Sequence, residues 1–146
     1  MEQTITVTDV NTEDVDKLWW MVKDLLQLAI DRNQGEFTLE DIQTDLLAGH
    51  TRLWIAYDED RKVKACAVCE LRKFTQRKIC YIILLAGEDF NCWHWSINAI
   101  EEWARENGAD AIAAYTRKGF IKTMRKYGFR EPYTVIQKDL TDRRLH

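Results

Sequence analysis

Between Lys78 and Phe129 the chain alternates strand and helix in an order that confines it to a mixed sheet with helices laid against it. Ile79-Cys80-Tyr81-Ile82-Ile83-Leu84-Leu85-Ala86 is an unbroken apolar run and reads as a strand. The loop Gly87-Glu88-Asp89-Phe90 follows, and then a helical pattern over Asn91–Glu106. Trp93, Ile97, Ile100 and Ala104 recur at spacings of 4, 3 and 4, which puts them on one helix face turned to a core. Asp110–Tyr115 is a short strand rich in small residues, and a basic helix ends at Tyr127-Gly128-Phe129.

The N-terminal half supplies the rest of the sheet. Thr4–Val10 alternates, with Ile5 and Val7 on one face and Thr4, Thr6 and Thr8 on the other. Asn11 or Thr12 is the expected cap of an amphipathic helix carrying Val15, Leu18, Trp19, Val22, Leu25, Leu26, Ala29 and Ile30, stopped at Asn33-Gln34-Gly35. A second helix starts at Thr38, with Asp41 placed to reach back in a capping box. Arg52–Tyr57 and Val63–Leu71 are strands separated by the charged turn Asp58–Arg61. The strand Val63–Leu71 then forms an antiparallel hairpin with Ile79–Ala86. Pairing about a Phe74/Thr75 turn sets Cys69 near Cys80 and Cys66 near Ile83. A final strand is expected over Thr134–Leu140, with Pro132 in the turn before it. The expected core includes Trp19, Trp54, Trp93, Ile97 and Ile100.

A length of 146 residues suits one domain, here residues 1–146, large enough to bury a core without disulfides or metals. No apolar run reaches the roughly 18 residues that span a bilayer, and Met1–Thr4 does not read as a signal peptide, so a cytoplasmic setting without membrane contact is expected. A net charge of −3 supplies no general attraction to nucleic acid. The four cysteines sit inside regular elements and read as reduced thiols. Cys66-Ala67-Val68-Cys69 has the spacing of a redox or zinc pair, but residues three apart on a strand face opposite sides. Cys92 and His94 are two ligand types without a third nearby, so no metal is expected. There is no nucleophile elbow, no Walker loop and no Gly-x-Gly-x-x-Gly run. Arg117, Lys118, Lys122, Arg125, Lys126 and Arg130 form a basic face opposite Phe120, Ile121 and Met124, readable as a solvated face, as phosphate contacts to a cofactor, or as a docking surface for an acidic protein or a nucleic acid.

Several segments carry a resemblance: Leu53-Trp54-Ile55-Ala56, the loop Ala86-Gly87-Glu88, Glu101-Glu102-Trp103-Ala104-Arg105, Arg117-Lys118-Gly119-Phe120 and the ending Ile136-Gln137-Lys138-Asp139-Leu140. With the element order, they resemble the Gcn5-related N-acetyltransferase (GNAT) superfamily, and within it the small GNAT-like proteins of tailed bacteriophages and prophages. The resemblance implies an α/β (α+β) fold with a mixed, mainly antiparallel sheet of six to seven strands and four helices. It also implies acetyl-CoA as the ligand. Leu85, Ala86, Gly87, Asn91 and Cys92 would hold the cofactor at the strand end and helix start, and Arg117 and Lys122 would contact its phosphates.

The residues that such enzymes use are partly replaced. The resemblance implies a glycine-rich turn whose backbone N–H groups hold a pyrophosphate at a helix N-terminus. This chain has Gly87-Glu88-Asp89-Phe90-Asn91-Cys92-Trp93 there, with one glycine and two acids that repel an anion. It implies a thiolate-protonating tyrosine four residues before Gly128, where Met124 stands, and frequently an asparagine where Arg117 stands. Tyr115, Tyr127 and Glu88 are the candidate substitutes. Two readings follow. One is a phage-type GNAT-fold protein with little or no transfer activity that works by binding a phage or host protein, in the host cytoplasm or the virion. The other is an acetyl-CoA-dependent N-acetyltransferase acting on a protein or small-molecule amine.

Overall fold

A computed structural model describes residues 4–33, 35–87, 91–116 and 118–141, with the backbone alone for residues 91–95. Its elements are β1 (Thr6–Val10), α1 (Val15–Asp31), α2 (Leu39–Leu47), β2 (Arg52–Tyr57), β3 (Val63–Lys73), β4 (Lys78–Gly87), α3 (Asn91–Glu106), β5 (Ala111–Ala114) and α4 (Lys118–Arg125). The strands lie in chain order, β1-β2-β3-β4-β5. The first three pairings are antiparallel, and β4 pairs with β5 in parallel. Parallel neighbours need a crossover, and α3 provides it. The fold is the expected mixed, mainly antiparallel sheet with four helices.

Local chemistry places the helix ends. Asp41 N–H donates to the Thr38 hydroxyl at 3.1 Å, and the Asp41 carboxylate accepts from the Thr38 N–H at 3.0 Å, completing the capping box of α2. Asn11 makes no side-chain cap; Thr12–Asp14 forms a 3₁₀ turn, and α1 begins at Val15. The chain leaves α1 through Gly35, whose φ of 88° suits glycine. Gly128, at φ 91°, closes α4 as Phe129 N–H donates to the Met124 carbonyl at 3.2 Å.

Two apolar layers sandwich the sheet. On one face Val22, Leu26 and Ile30 of α1 and Ile42 and Leu46 of α2 pack against Leu53, Ile55, Val68 and Leu84. On the other, Ile97, Ile100 and Ala104 of α3 and Met124 of α4 pack against Trp54, Ala67, Cys69 and Ile82. Trp54 meets Trp103 edge to face at 5.9 Å. Of the expected core, Trp54, Ile97 and Ile100 are buried and Trp19 is half-buried against the first layer. The side chain of Trp93 lies outside the described residues.

Two expectations are corrected. The strand over Thr134–Leu140 does not form: residues 133–140 carry no helix or strand and every one is exposed, so the sheet has five strands among the described residues, not six or seven. Alternation along a segment creates a strand only where a neighbour offers its free backbone groups. The β3–β4 hairpin also turns one residue later than expected, with Phe74 N–H donating to the Arg77 carbonyl at 2.8 Å. Cys69 therefore faces Ile82 but still lies beside Cys80 as expected, diagonally across the ladder, while past an irregularity in the pairing Cys66 faces Ala86 and not Ile83.

Cys66 and Cys69 belong to opposite layers, as their spacing requires. Cys69 and Cys80 lie diagonally on neighbouring strands and share a hydrogen bond, which raises the Cys69 thiol and lowers that of Cys80. Burial pushes Cys66 up from 9.0 to about 12. The folded state keeps that proton while the unfolded chain loses its own, so the unfolded state binds fewer protons and stability falls as pH rises from 9 toward 12. Denaturant titrations across that window should show Cys66 contributing a loss of about 1.4 kcal/mol per pH unit. Cys66→Ala should lack this slope relative to the parent, and equal slopes in the two proteins would refute it. Ile100→Ala should lower stability by about 2–5 kcal/mol, whereas Trp20→Ala, at a position 70% exposed, should stay within about 0.5 kcal/mol.

Candidate functional site

The site originates in an irregularity of β4. Val68 faces Leu84 but the next residue, Cys69, faces Ile82, so Ile83 is an extra residue in β4 and forms a bulge. The parallel pairing of β4 with β5 runs from Ile79 opposite Ala111 to Ile82 opposite Ala114. Its last trace is Tyr115 N–H to the Ile82 carbonyl at 3.5 Å. Beyond the bulge β4 continues to Gly87, while β5 has ended. The two strands part, and a cleft of about 320 Å³ opens between them.

The cleft passes through the sheet. Ala29 of α1 and Arg32 just past its end wall it on one face, and Ser96 of α3 with Phe120 and Met124 of α4 wall it on the other. Leu85, Ala86 and Gly87 form one rim; Ala114, Tyr115 and Thr116 form the facing rim. Past Ile82, the backbone groups of β4 that point away from β3 have no strand opposite, and they border the cleft. A Cβ on Gly87 would stand 3.0 Å from the Ala65 Cβ and 3.3 Å from the Lys64 carbonyl oxygen. The missing side chain of Gly87 thus serves the close approach of β3.

The two candidate catalytic residues that the structure describes, Tyr115 and Tyr127, separate. Tyr115 is on the cleft rim, 58% exposed. Tyr127 is half-buried against the α3–α4 core and is not on the cleft wall. Glu88 lies outside the described residues, as does Arg117. Among the expected cofactor contacts, Leu85, Ala86 and Gly87 border the cleft. Asn91 and Cys92 stand in the first turn of α3, their side chains outside the described residues, and Lys122 is exposed on α4 away from the cleft wall. Met124 is buried in that wall, at the position where the resemblance implies a proton-donating tyrosine.

A cluster that sequence reasoning missed holds Tyr115. Its ring stacks on Tyr81, with centroids 5.6 Å apart and planes 14° from parallel. Arg72 lies over Tyr81 at 4.4 Å and donates from Nη1 to the Tyr115 hydroxyl oxygen at 3.0 Å. Arg72 also pairs with Glu70 at 3.1 Å, and that hydrogen bond raises the guanidinium pKa. Glu70 and Tyr81 are directly opposite in the β3–β4 ladder. A hairpin turning one residue earlier places Tyr81 opposite Val68, which is why the cluster was not legible. Among the described residues no three His, Cys, Asp or Glu side chains converge on a metal-sized site, and no helix is long and apolar enough to cross a membrane.

No family model matches the chain, and no curated protein does. Solved structures are similar to it. An aminoglycoside acetyltransferase from an uncultured soil metagenomic sample, in complex with sisomicin, has a TM-score of 0.69 at 14% identity, over 94% of this chain and 97% of that one. A Trypanosoma brucei acetyltransferase has a TM-score of 0.68 at 15% identity, over 94% of this chain and 100% of that one. The aminoglycoside N-acetyltransferase AAC(6')-Iy, in complex with CoA, has a TM-score of 0.65 at 16% identity, over 95% of this chain and 96% of that one. Identities this low carry the architecture and nothing finer, and on that ground the chain has the fold of the GNAT acetyltransferases.

Proposed function

We propose that this chain is a GNAT-fold protein that works chiefly by binding, taking an acyl-CoA thioester weakly in the β4–β5 cleft and transferring from it slowly or not at all. The fit of the ligand's pantetheine arm rests on the cleft itself. An arm carrying two amides matches a strand edge whose N–H and C=O groups border a slot lined by apolar residues such as Ala29, Ile83 and Phe120 together with polar ones such as Arg32, Glu36 and Ser96. The observation that carries the weak-transfer part is Met124. When an amine displaces the thiolate from the acyl carbon, the C–N bond forms, the C–S bond breaks and the sulfur must take a proton. A buried thioether on the cleft wall has none to give. The acids Glu88 and Asp89, which immediately precede α3 in the sequence, would oppose a pyrophosphate there by like charge. In this reading the biological partner is a phage or host protein, with the virion as one setting.

Calorimetry with acetyl-CoA tests it. The parent protein is expected to bind in the millimolar range and to release no free thiol above background with amine acceptors. Removing both charges, as Glu88→Gln with Asp89→Asn, should tighten binding by about 2 kcal/mol, roughly thirty-fold in Kd. Micromolar binding by the parent together with turnover would overturn the proposal.

A second reading is favoured by one specific observation, the Tyr115 hydroxyl held on the cleft rim by Arg72. Arg72 occupies an acceptor lone pair of that oxygen and leaves the O–H bond able to donate, so Tyr115 could protonate the thiolate in place of Met124. The chain would then be an N-acetyltransferase for a protein or small-molecule amine. In that case Tyr115→Phe should lower kcat about 10²-fold with little change in KM, since general-acid catalysis contributes about that much. Turnover that survives the substitution would remove Tyr115 from the chemistry.

A further inference from the structure

Three cysteines among the described residues carry free thiols, and the fold sorts them. Cys66 is sealed into the layer under α1 and α2. Cys69 and Cys80 lie in the opposite layer, on neighbouring antiparallel strands, with no exposed surface on either. Cys69 is directly across from Ile82 and Leu71 from Cys80, so the two cysteines are diagonal neighbours on one face. Their side chains are in hydrogen-bond contact, the Cys69 S–H donating to the Cys80 sulfur. That bond keeps the proton on Cys69 and lowers the Cys80 thiol, which makes Cys80 the readier nucleophile.

The pair stands where the hairpin is least regular. Val68 is opposite Leu84 and Cys69 opposite Ile82, so the extra residue Ile83 directly adjoins the level of Cys69. A bulge bends its strand and adds twist, and it leaves backbone that can take up a small movement of β4. Glu70 and Tyr81, the next residues along each strand, face each other on the other side of the sheet. They hold Arg72, and through it the Tyr115 hydroxyl. Ile82, the next side chain after Cys80 in its layer, is on the cleft wall. A small oxidant in the cleft is therefore one side chain away from the two sulfurs.

We propose that Cys69 and Cys80 are a redox pair, oxidised by a peroxide to a disulfide that ties β3 to β4 beside the cleft. The Cys80 thiol gives up its proton, and its sulfur attacks one oxygen of the peroxide. The S–O bond forms, the O–O bond breaks, and the leaving hydroxide takes a proton to become water. The Cys69 sulfur then attacks the Cys80 sulfur: the S–S bond forms, the S–O bond breaks, and hydroxide leaves with the Cys69 proton as a second water. Two thiols are oxidised and one peroxide is reduced. The bond brings the sulfurs to about 2.0 Å, a closure shorter than their hydrogen bond. It also closes a loop over the Phe74–Arg77 turn and fixes Glu70 against Tyr81. The oxidised protein thus holds the Arg72–Tyr115 cluster more firmly at the cleft rim.

Peptide mapping of the folded full chain after treatment with hydrogen peroxide tests this, with the remaining thiols alkylated before digestion. A Cys69–Cys80 link is expected, the intact mass falling by that of two hydrogen atoms and dithiothreitol restoring both thiols. Hydrogen exchange over residues 70–82 should slow about tenfold or more in the linked form. Cys66→Ala should link at the rate of the parent, whereas Cys69→Ala should leave Cys80 as a sulfenic or higher acid. If Cys69→Ala fails to fold, the mapping of the parent decides by itself. A link through Cys66 or Cys92 overturns the proposal, as does a pair that stays reduced in the treated, folded protein. Linkage only at denaturant concentrations that unfold the chain overturns it too, because the folded hairpin would not then be what joins the sulfurs. Unchanged exchange in the linked protein would refute the hold on Glu70 and Tyr81.

Discussion

β4 is the strand on which both the sheet and its cleft depend. It is the only strand of the described sheet held antiparallel on one side and parallel on the other. The two ladders keep it in place up to Ile82, and the extra residue Ile83 then breaks the register with β3. A bulge adds local twist and bends the strand that carries it, which here turns the last part of β4 away from β5. A regular β4 would let β5 and Tyr115 follow alongside, and the sheet would close over the space that is now a cleft. The opening therefore comes from backbone pairing, and the side chains that line it only finish its walls.

Those walls belong to the two apolar layers. Ala29 comes from the helix that covers one face, and Met124 from the helix that covers the other, where it packs with Ile97 and Ile100. Met124 thus has two consequences at one position. It completes a core with a flexible apolar side chain, and it leaves the cleft without a proton donor at that point. Tyr115 offers the contrasting case: an exposed phenol at a strand end, fixed by a stacked ring and a guanidinium that a carboxylate holds in turn. Under the proposed thioester binding, chemistry or mere binding turns on which of these two side chains faces the sulfur.

The cysteines show how strand geometry disposes of an attractive motif. Cys66 and Cys69 have the spacing of a redox or metal pair, yet each is sealed in a different layer. Cys69 instead finds Cys80 diagonally across the ladder, the neighbour that the expected hairpin pairing set near it. Burial makes Cys66 a poor thiolate, so it behaves as a small apolar residue of the core.

Much of the architecture was legible in the sequence because it rests on local rules. The bounds of the Asn91–Glu106 helix follow from its 3.6-residue periodicity, those of the Arg52–Tyr57 strand from its apolar run, and the start of α2 from the Thr38–Asp41 box. The likeness of several short segments led to the correct fold. Leu85, Ala86 and Gly87, expected to hold a cofactor, and Tyr115, a candidate proton donor, border the cleft, and Met124 stands on its wall where the resemblance implies a tyrosine. What only the tertiary structure decided depends on contacts between distant strands. The turn of the β3–β4 hairpin shifted by one residue, which moves the pairing register by two, so each side chain kept its face but met a different residue directly across, bringing Glu70 opposite Tyr81 and so assembling the Arg72 cluster. The bulge at Ile83 left no mark in an apolar run where every residue is acceptable on either face. The segment Thr134–Leu140 has the pattern of a strand and stands exposed, because pattern makes a segment able to pair, whereas pairing itself requires that the chain's path bring the segment alongside a free edge.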